Sequence, residues 1–430
     1  MRHIFALTGA NNGSVSVTMK FTDESATQVS DYRIGSEDQL DLQFLPTVSV
    51  VHISVSRGIS ILGEIDEEED GDTFAALPIF PILGETKFEE YLVLSHASKN
   101  LPTNVMGVIL VVAATDNTQV IVTPAENISD VEGGRFLEKN NVTVFVQHRL
   151  NTLTLTSVND LTGTVIRADK PIAVYSGHVC GNTPVHVSSC NHLIEQMPPV
   201  RVLGYCYIVT SFMGRQNGSY VKFVATVDGT FVEAHENGKV LPIYGPLDQG
   251  MFRERYLGPG RVVVLKSNHP IMVAQVGPGA QLDDTGAPFM IVLPSLSQLV
   301  SEVPFYSKNN IDVNYFHYIT ITVPSQYYDE DTIILDGEPI HSNAAFTVQS
   351  PLCGNFTLAS LEVAPGHHYL QHTTPGAGFL LSVYGFAPGT SYGYSPGLNQ
   401  GETAFLYLSV AVVITSHLVV CVIMQYTIII

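Results

Sequence analysis

The feature that most restricts this chain is how often its apolar runs are cut short. Stretches rich in Val, Ile and Thr, most of them four to eight residues long, end repeatedly at Gly, Pro, Asn or Asp. Residues 48–55 (VSVVHISV), 107–122 (GVILVVAATDNTQVIV), 153–156, 164–176 and 221–234 are of this kind. Branched side chains pack well on a pleated surface and crowd a helix, and runs of this length suit strands. Asp116-Asn117, Asp228-Gly229 and Asp336-Gly337 stand between such runs and read as hairpin turns. Upstream of the tail, helical spacing is confined to one turn near 192–196 and another at 295–302. The body of the chain is therefore expected to be all-β.

The strands also repeat. VVAATDNTQVIV at 111–122 is echoed by FVATVDGTFVEA at 223–234, and IRADKPIAV at 166–174 by LKSNHPIMV at 265–273. LPIFPILG from Leu77, PPVRVLG from Pro198 and LPSLSQL from Leu293 are related phrases, and GFLLSVYGF at 378–386 matches the strand IAVYSGH. Units of about 100–120 residues exceed one propeller blade and suit a small β-sandwich or a large β-module. Three tandem units are expected, at 1–178, 179–280 and 281–397, with residues 1–60 completing the first.

Composition then removes whole classes of function. Of 430 residues only 14% are charged, with 20 Lys and Arg against 40 Asp and Glu, a net charge of −20. Such a chain offers no positive field to nucleic acid or to anionic lipid. Part of the low charge lies in the tail, since nothing after Glu402 is charged and residues 404–424 read AFLYLSVAVVITSHLVVCVIM. As a helix at ~1.5 Å per residue this run spans the ~30 Å core of a bilayer. A transmembrane segment over 404–430 is expected, with 398–403 as linker. A glycolipid-anchor signal is the alternative, given Ser391, Gly393 and Ser395 upstream; a truncated reading of the gene is a third. The amino terminus has no apolar stretch of signal-peptide length, because polarity sets in at Thr8.

Cysteines and sequons bear on the compartment. Cys421 falls in the tail, leaving Cys180, Cys190, Cys206 and Cys353. Cys180 and Cys190 enclose a loop of turn formers and read as a disulfide; Cys206 and Cys353 pair by elimination. Asn12, Asn127, Asn141, Asn217 and Asn355 head glycosylation sequons. With the anchor, these favour a single-pass cell-membrane protein with an extracellular body.

Residues 160–200 (DLTGTVIRADKPIAVYSGHVCGNTPVHVSSCNHLIEQMPPV) carry a long motif. TFAALPIFPILG at 73–84, GVILVVAATDNTQVIVTP at 107–124, PFMIVLPSLSQ at 288–298, TIILDG at 332–337 and YGFAPGTSYGYSPG at 384–397 accompany it in order. Together they resemble the IgGFc-binding protein N-terminal domain family over nearly the whole chain before the tail. Asn191 departs from the family's Asp, and Leu203-Gly204 from its Trp-Gly; the start at RHIFAL looks clipped, which implies a signal peptide upstream. The resemblance implies a secreted or membrane-anchored surface protein. The immunoglobulin binding of particular members maps onto no residue here.

Chemical constellations are few. Cys180, His186, Cys190 and His192 have the donor types of a zinc site, but an oxidising compartment joins the two sulfurs first. His192 and Glu195 then read as a structural turn. Residues 66–72 (DEEEDGD) lack the glutamate a calcium loop needs at its twelfth position, and read as a solvated acidic loop. Neither a nucleophile elbow, a His-Glu-x-x-His helix nor a phosphate-binding loop occurs. No cofactor is expected. The reading is a membrane-anchored binding or adhesion protein for an extracellular glycoprotein, mucin-like or cell-surface partner, inserted through 404–424. The alternatives are a metal-dependent or carbohydrate-active extracellular enzyme and a structural surface coat.

Overall fold

The structure, a computed structural model, describes residues 2–8, 13–21, 27–36, 38–44, 48–56, 59–67, 70–77, 87–98, 106–131, 133–185, 187, 189–280, 285–310, 313–397, 407–415 and 418–423. Their regular structure is strand, interrupted only by single 3-10 turns, so the chain is all-β. They gather into two units, Met1–Val202 with Gly401–Ile430, and Leu203–Gln400.

Among the described residues the first unit has four sheets. In one, β1 (Arg2–Thr8) lies between β4 (Gln39–Phe44) and β6 (Ile59–Glu67), and β7 (Asp70–Ala76) follows β6. In the next, β2 (Gly13–Phe21) lies between β3 (Thr27–Ile34) and β5 (Val48–Ser56). The free side of β5 pairs with β35 (Tyr407–Thr415), which pairs with β36 (Leu418–Ile423). A third sheet runs β13 (Thr143–Gln147), β10 (Thr118–Thr123), β15 (Val165–Ala168), β8 (Glu89–Leu92). The fourth runs β12 (Phe136–Leu137), β11 (Ile128–Asp130), β14 (Thr152–Ser157), β9 (Gly107–Ala113), β16 (Ile172–Asn182), β17 (Cys190–Met197). The uninterrupted apolar run of β9 suits its central place, with every residue buried, whereas alternating TQVIVT in β10 buries alternate side chains.

Among the described residues the second unit has three sheets. The largest is organised by β24 (Val262–Gly277), sixteen residues long. Its first half lies between β18 (Gly204–Thr210) and β20 (Thr230–Glu236); its second half lies between β19 (Ser219–Ala225) and β25 (Phe289–Leu293). β21 (Lys239–Val240) and β22 (Tyr244–Leu247) flank β20, and β23 (Phe252–Leu257) flanks β19. The remaining sheets run β26 (Glu302–Ser307), β32 (Gly366–His372), β28 (Ile333–Leu335), β29 (Glu338–Pro339), and β30 (Ala344–Ser350), β31 (Gly354–Glu362), β27 (Phe316–Pro324), β33 (Leu380–Ala387), β34 (Thr390–Tyr394). Phe212, Phe289 and Tyr384 meet in the core of this unit, Phe212 lying 4.7 Å from Phe289 and 4.8 Å from Tyr384 between ring centres. The Tyr384 oxygen accepts from the Met213 N–H at 2.8 Å, and burial raises its hydroxyl pKa to about 12.

Four expectations are corrected. The described residues of 404–424 form no membrane helix: 407–415 and 418–423 are antiparallel strands, and among the described residues no helix is long and apolar enough to cross a bilayer. Val410, Val412, Val413, Ile414 and Thr415 are branched at Cβ, and here a sheet edge is at hand to take them. In place of the helical turns expected near 192–196 and 295–302 stand strand β17 and a single tight turn, in which the Gln298 N–H donates to the Ser295 carbonyl at 3.0 Å, followed by an isolated bridge at Val300. Asp116-Asn117 and Asp228-Gly229 do turn the chain, with positive φ at Asn117 (53°) and Gly229 (74°). The strands they join do not pair with each other, however, because each takes other partners. Only Asp336-Gly337 closes a hairpin, between β28 and β29. Asp72, expected in a solvated acidic loop, is fully buried; its Oδ1 accepts from the Thr73 N–H at 2.8 Å and its Oδ2 from the Ile194 N–H at 2.9 Å.

Candidate functional site

The sequence singled out the loop between β16 and β17. There Cys180 is bonded to Cys190, with Cα atoms 5.1 Å apart. Neither sulfur is then a thiolate, and among the described residues no three His, Cys, Asp or Glu side chains converge on one point. His186 lies outside the described residues. His96, His178 and His192 are all buried, and His96 and His178 bond the backbone of this loop. The His96 Nε2 meets the Asn182 carbonyl at 2.8 Å, and His178 Nδ1 accepts from the Cys180 N–H at 3.2 Å. Ser98 Oγ donates to the Cys180 carbonyl at 3.1 Å, and Asn182 Nδ2 donates to the Val187 carbonyl at 2.7 Å. Burial, with the neighbouring His96 second, lowers the His178 pKa to about 4, which keeps its imidazole neutral as an acceptor.

The most distinctive phrase of the sequence, His192 to Met197, is also structural. It lies within β17, every residue of which is buried apart from Cys190. Gln196 Oε1 accepts from the Leu77 N–H at 2.7 Å and from the Tyr175 hydroxyl at 2.8 Å, and its Nε2 donates to the Leu77 carbonyl at 3.0 Å. One side chain thereby satisfies both backbone groups of the residue that follows β7. In the other unit Cys206 is bonded to Cys353, with Cα atoms 6.1 Å apart. Of the sequon residues, Asn127, Asn141 and Asn355 are exposed and Asn217 is half-buried. Asn12 lies outside the described residues.

A cavity lies elsewhere, in the second unit. It is a cleft of about 440 Å³ lined by His235, Asn237, Gly238, Gly260, Val262 and Val264 on one side and residues 346–350 on the other. The first wall is shaped by the Asn237-Gly238 turn, both residues at positive φ (46° and 76°), which closes the hairpin from β20 to β21. Asn237 Oδ1 fixes that turn by accepting from the Val262 N–H at 2.8 Å. The second wall is β30. Side chains alternate along a strand, so five consecutive lining residues mean that its backbone edge faces the cleft. Among the described residues β30 pairs only with β31, which leaves its other edge open. Phe346 is 39% exposed there, while Val262 and Val264 form a buried apolar floor. An apolar floor, a polar rim and an open strand edge can hold an extended peptide by backbone ladder and side-chain pocket together. Sequence reasoning passed over this site. The Asn-Gly turn was a readable signal, but nothing in AAFTVQS marks an edge strand.

Comparison with known proteins bears on the whole arrangement. The model of a family described as IgGFc binding protein matches residues 83–385, from just before β8 to within β33. The human IgGFc-binding protein is 28% identical over 165 residues, which are 38% of this chain and 3% of that protein. This chain thus matches only a small part of that relative. A solved tetra-tandem repeat from the extending region of a large adhesion protein aligns over 92% of this chain and 93% of its own. Its identity is 10% and its TM-score 0.11, too low to support any argument.

Proposed function

Since the chain belongs to the IgGFc-binding protein family, we propose that it is an extracellular binding protein without catalytic chemistry. In this reading an extended segment of a glycoprotein, mucin-like or cell-surface partner lies along β30 in the cleft of the second unit. The observation that carries it is the open edge of β30 facing a preformed cleft with Phe346 exposed beside it. Two disulfides support an oxidising compartment. The strongly acidic composition fits selection of partners by shape and backbone more than by phosphate.

The test is titration of the full chain with immunoglobulin Fc, the ligand named for the human relative, and with a purified mucin. Saturable binding of one of them is expected, weakened at least tenfold in Phe346→Asp. Phe316→Asp, at another exposed ring, should leave it unchanged. Equal binding by all three proteins, or binding of neither probe, sinks the assignment of the site.

A further inference from the structure

We propose that the sheets are built as four copies of one eight-strand module, and that β35 is the first strand of the amino-terminal copy, donated from the far end of the chain. Let the strands of a module be lettered a to h in chain order. From β8 to β17 one sheet runs d-c-f-a as β13-β10-β15-β8, and the other e-b-g-h as β14-β9-β16-β17. From β18 to β25 the same orders return. The two halves of β24 serve as f and g, giving β20-β24-β18 with β21 and β22 in the place of d, and β23-β19-β24-β25. From β26 to β34 they return again, as β29-β28-β32-β26 and β31-β27-β33-β34. In the amino-terminal copy e-b-g-h is complete as β4-β1-β6-β7, and d-c-f is present as β3-β2-β5. The place of strand a, beside f, is held by β35. In the other three copies a runs antiparallel to f, and β35 runs antiparallel to β5.

Glycines mark the same module independently of sheet order. Strand g carries a glycine facing strand h in every copy: Gly63 opposite Phe74, Gly177 opposite Ile194, Gly277 opposite Phe289 and Gly385 opposite Tyr392. A Cβ at Gly63, Gly277 or Gly385 would run into the facing ring, and at Gly177 into the backbone at Leu193. The amino-terminal sheets thus share the close g–h approach of the others, and their f strand has the same need of a neighbour. The segment supplied is apolar and extended, and lies on β5 in continuous register from Tyr407 opposite Ser56 to Val413 opposite Val50. A donor from the opposite end of the chain can equally enter the slot of a second copy, since the contacts are identical.

Two measurements decide this, the first of them on the full chain. In a Cys421→Ser background, Ser54→Cys with Ser409→Cys places two thiols opposite each other in register. Ser54→Cys with Val413→Cys sets them four residues out of register. Oxidation should link the first pair and leave the second open. A link within one chain and a link between two copies both support the donor strand, and the latter shows exchange. Removal of 404–430 should speed amide exchange along 48–56 and let the protein take up one peptide of residues 404–415, carrying two added lysines, per chain. A Val410→Pro peptide should not bind. The proposal is overturned if neither cysteine pair links, or if both link equally. It is also overturned if phosphatidylcholine vesicles abolish the link by drawing the segment into the bilayer as helix. Should the shortened chain fail to fold, the cysteine pairs alone decide.

Discussion

Burial holds two imidazoles neutral in this protein, one in each unit. His178 and His317 both have their pKa lowered to about 4, first by desolvation and then by a neighbouring histidine, His96 and His368 respectively. His178 Nδ1 accepts a hydrogen bond from the Cys180 N–H, and His317 Nδ1 lies 2.7 Å from the Tyr392 hydroxyl. The unfolded chain takes up these protons near pH 6.5, the folded chain only near 4. Between those values the unfolded state binds more protons, so stability is full above about pH 6.5 and falls as acid is added, levelling off below about 4. The double variant His178→Gln/His317→Gln should therefore lose less stability than the parent between pH 7 and pH 5 in guanidinium titrations; equal losses would show that other groups dominate. Gln196 makes a complementary prediction. Gln196→Ala strands two buried backbone groups of Leu77 and should cost about 2–4 kcal/mol, measurable by the same titration. An unchanged midpoint would mean that water replaces the amide.

At the scale of strands, glycine and aromatic form a unit in which neither partner can change alone. Gly277→Ala should cost about 1–3 kcal/mol by overpacking against Phe289, and adding Phe289→Leu should recover part of that loss. A double-mutant cycle with no coupling between the two would refute the contact. This pairing also shows what the sequence made legible. The repeat of VVAATDNTQVIV in FVATVDGTFVEA was visible because the b–c turn needs Asp and then Asn or Gly, which places Asn117 and Gly229 at positive φ. Which strand each partner joins was not visible. Turn chemistry reports a local reversal, whereas pairing depends on strands some 30 to 60 residues away. Cys180 and Cys190 were legible as a pair because turn formers lie between them. The cleft along β30 was not, since an open edge is a property of the assembled sheet. The apolar tail misled for a related reason: length and lack of charge distinguish a membrane span from a surface helix, but not from two strands placed against a sheet edge.

At the scale of the whole molecule, the two disulfides divide between the two compact units, Cys180–Cys190 in the first and Cys206–Cys353 in the second. Their sequence separations are 10 and 147. If a disulfide acts mainly on the unfolded chain, the longer closure contributes more, about 5 kcal/mol against about 2.7 kcal/mol. The longer bridge ties β18 to the turn between β30 and β31, so its loss should also loosen the wall of the cleft along β30. Calorimetry of the full chain should resolve two transitions. Cys206→Ser/Cys353→Ser should lower one of them by the larger amount and weaken whatever ligand the cleft takes. Cys180→Ser/Cys190→Ser should lower the other and leave ligand affinity unchanged. A single transition that both variants shift together would show that the units unfold as one, and affinity lost equally in both would move the binding surface away from β30.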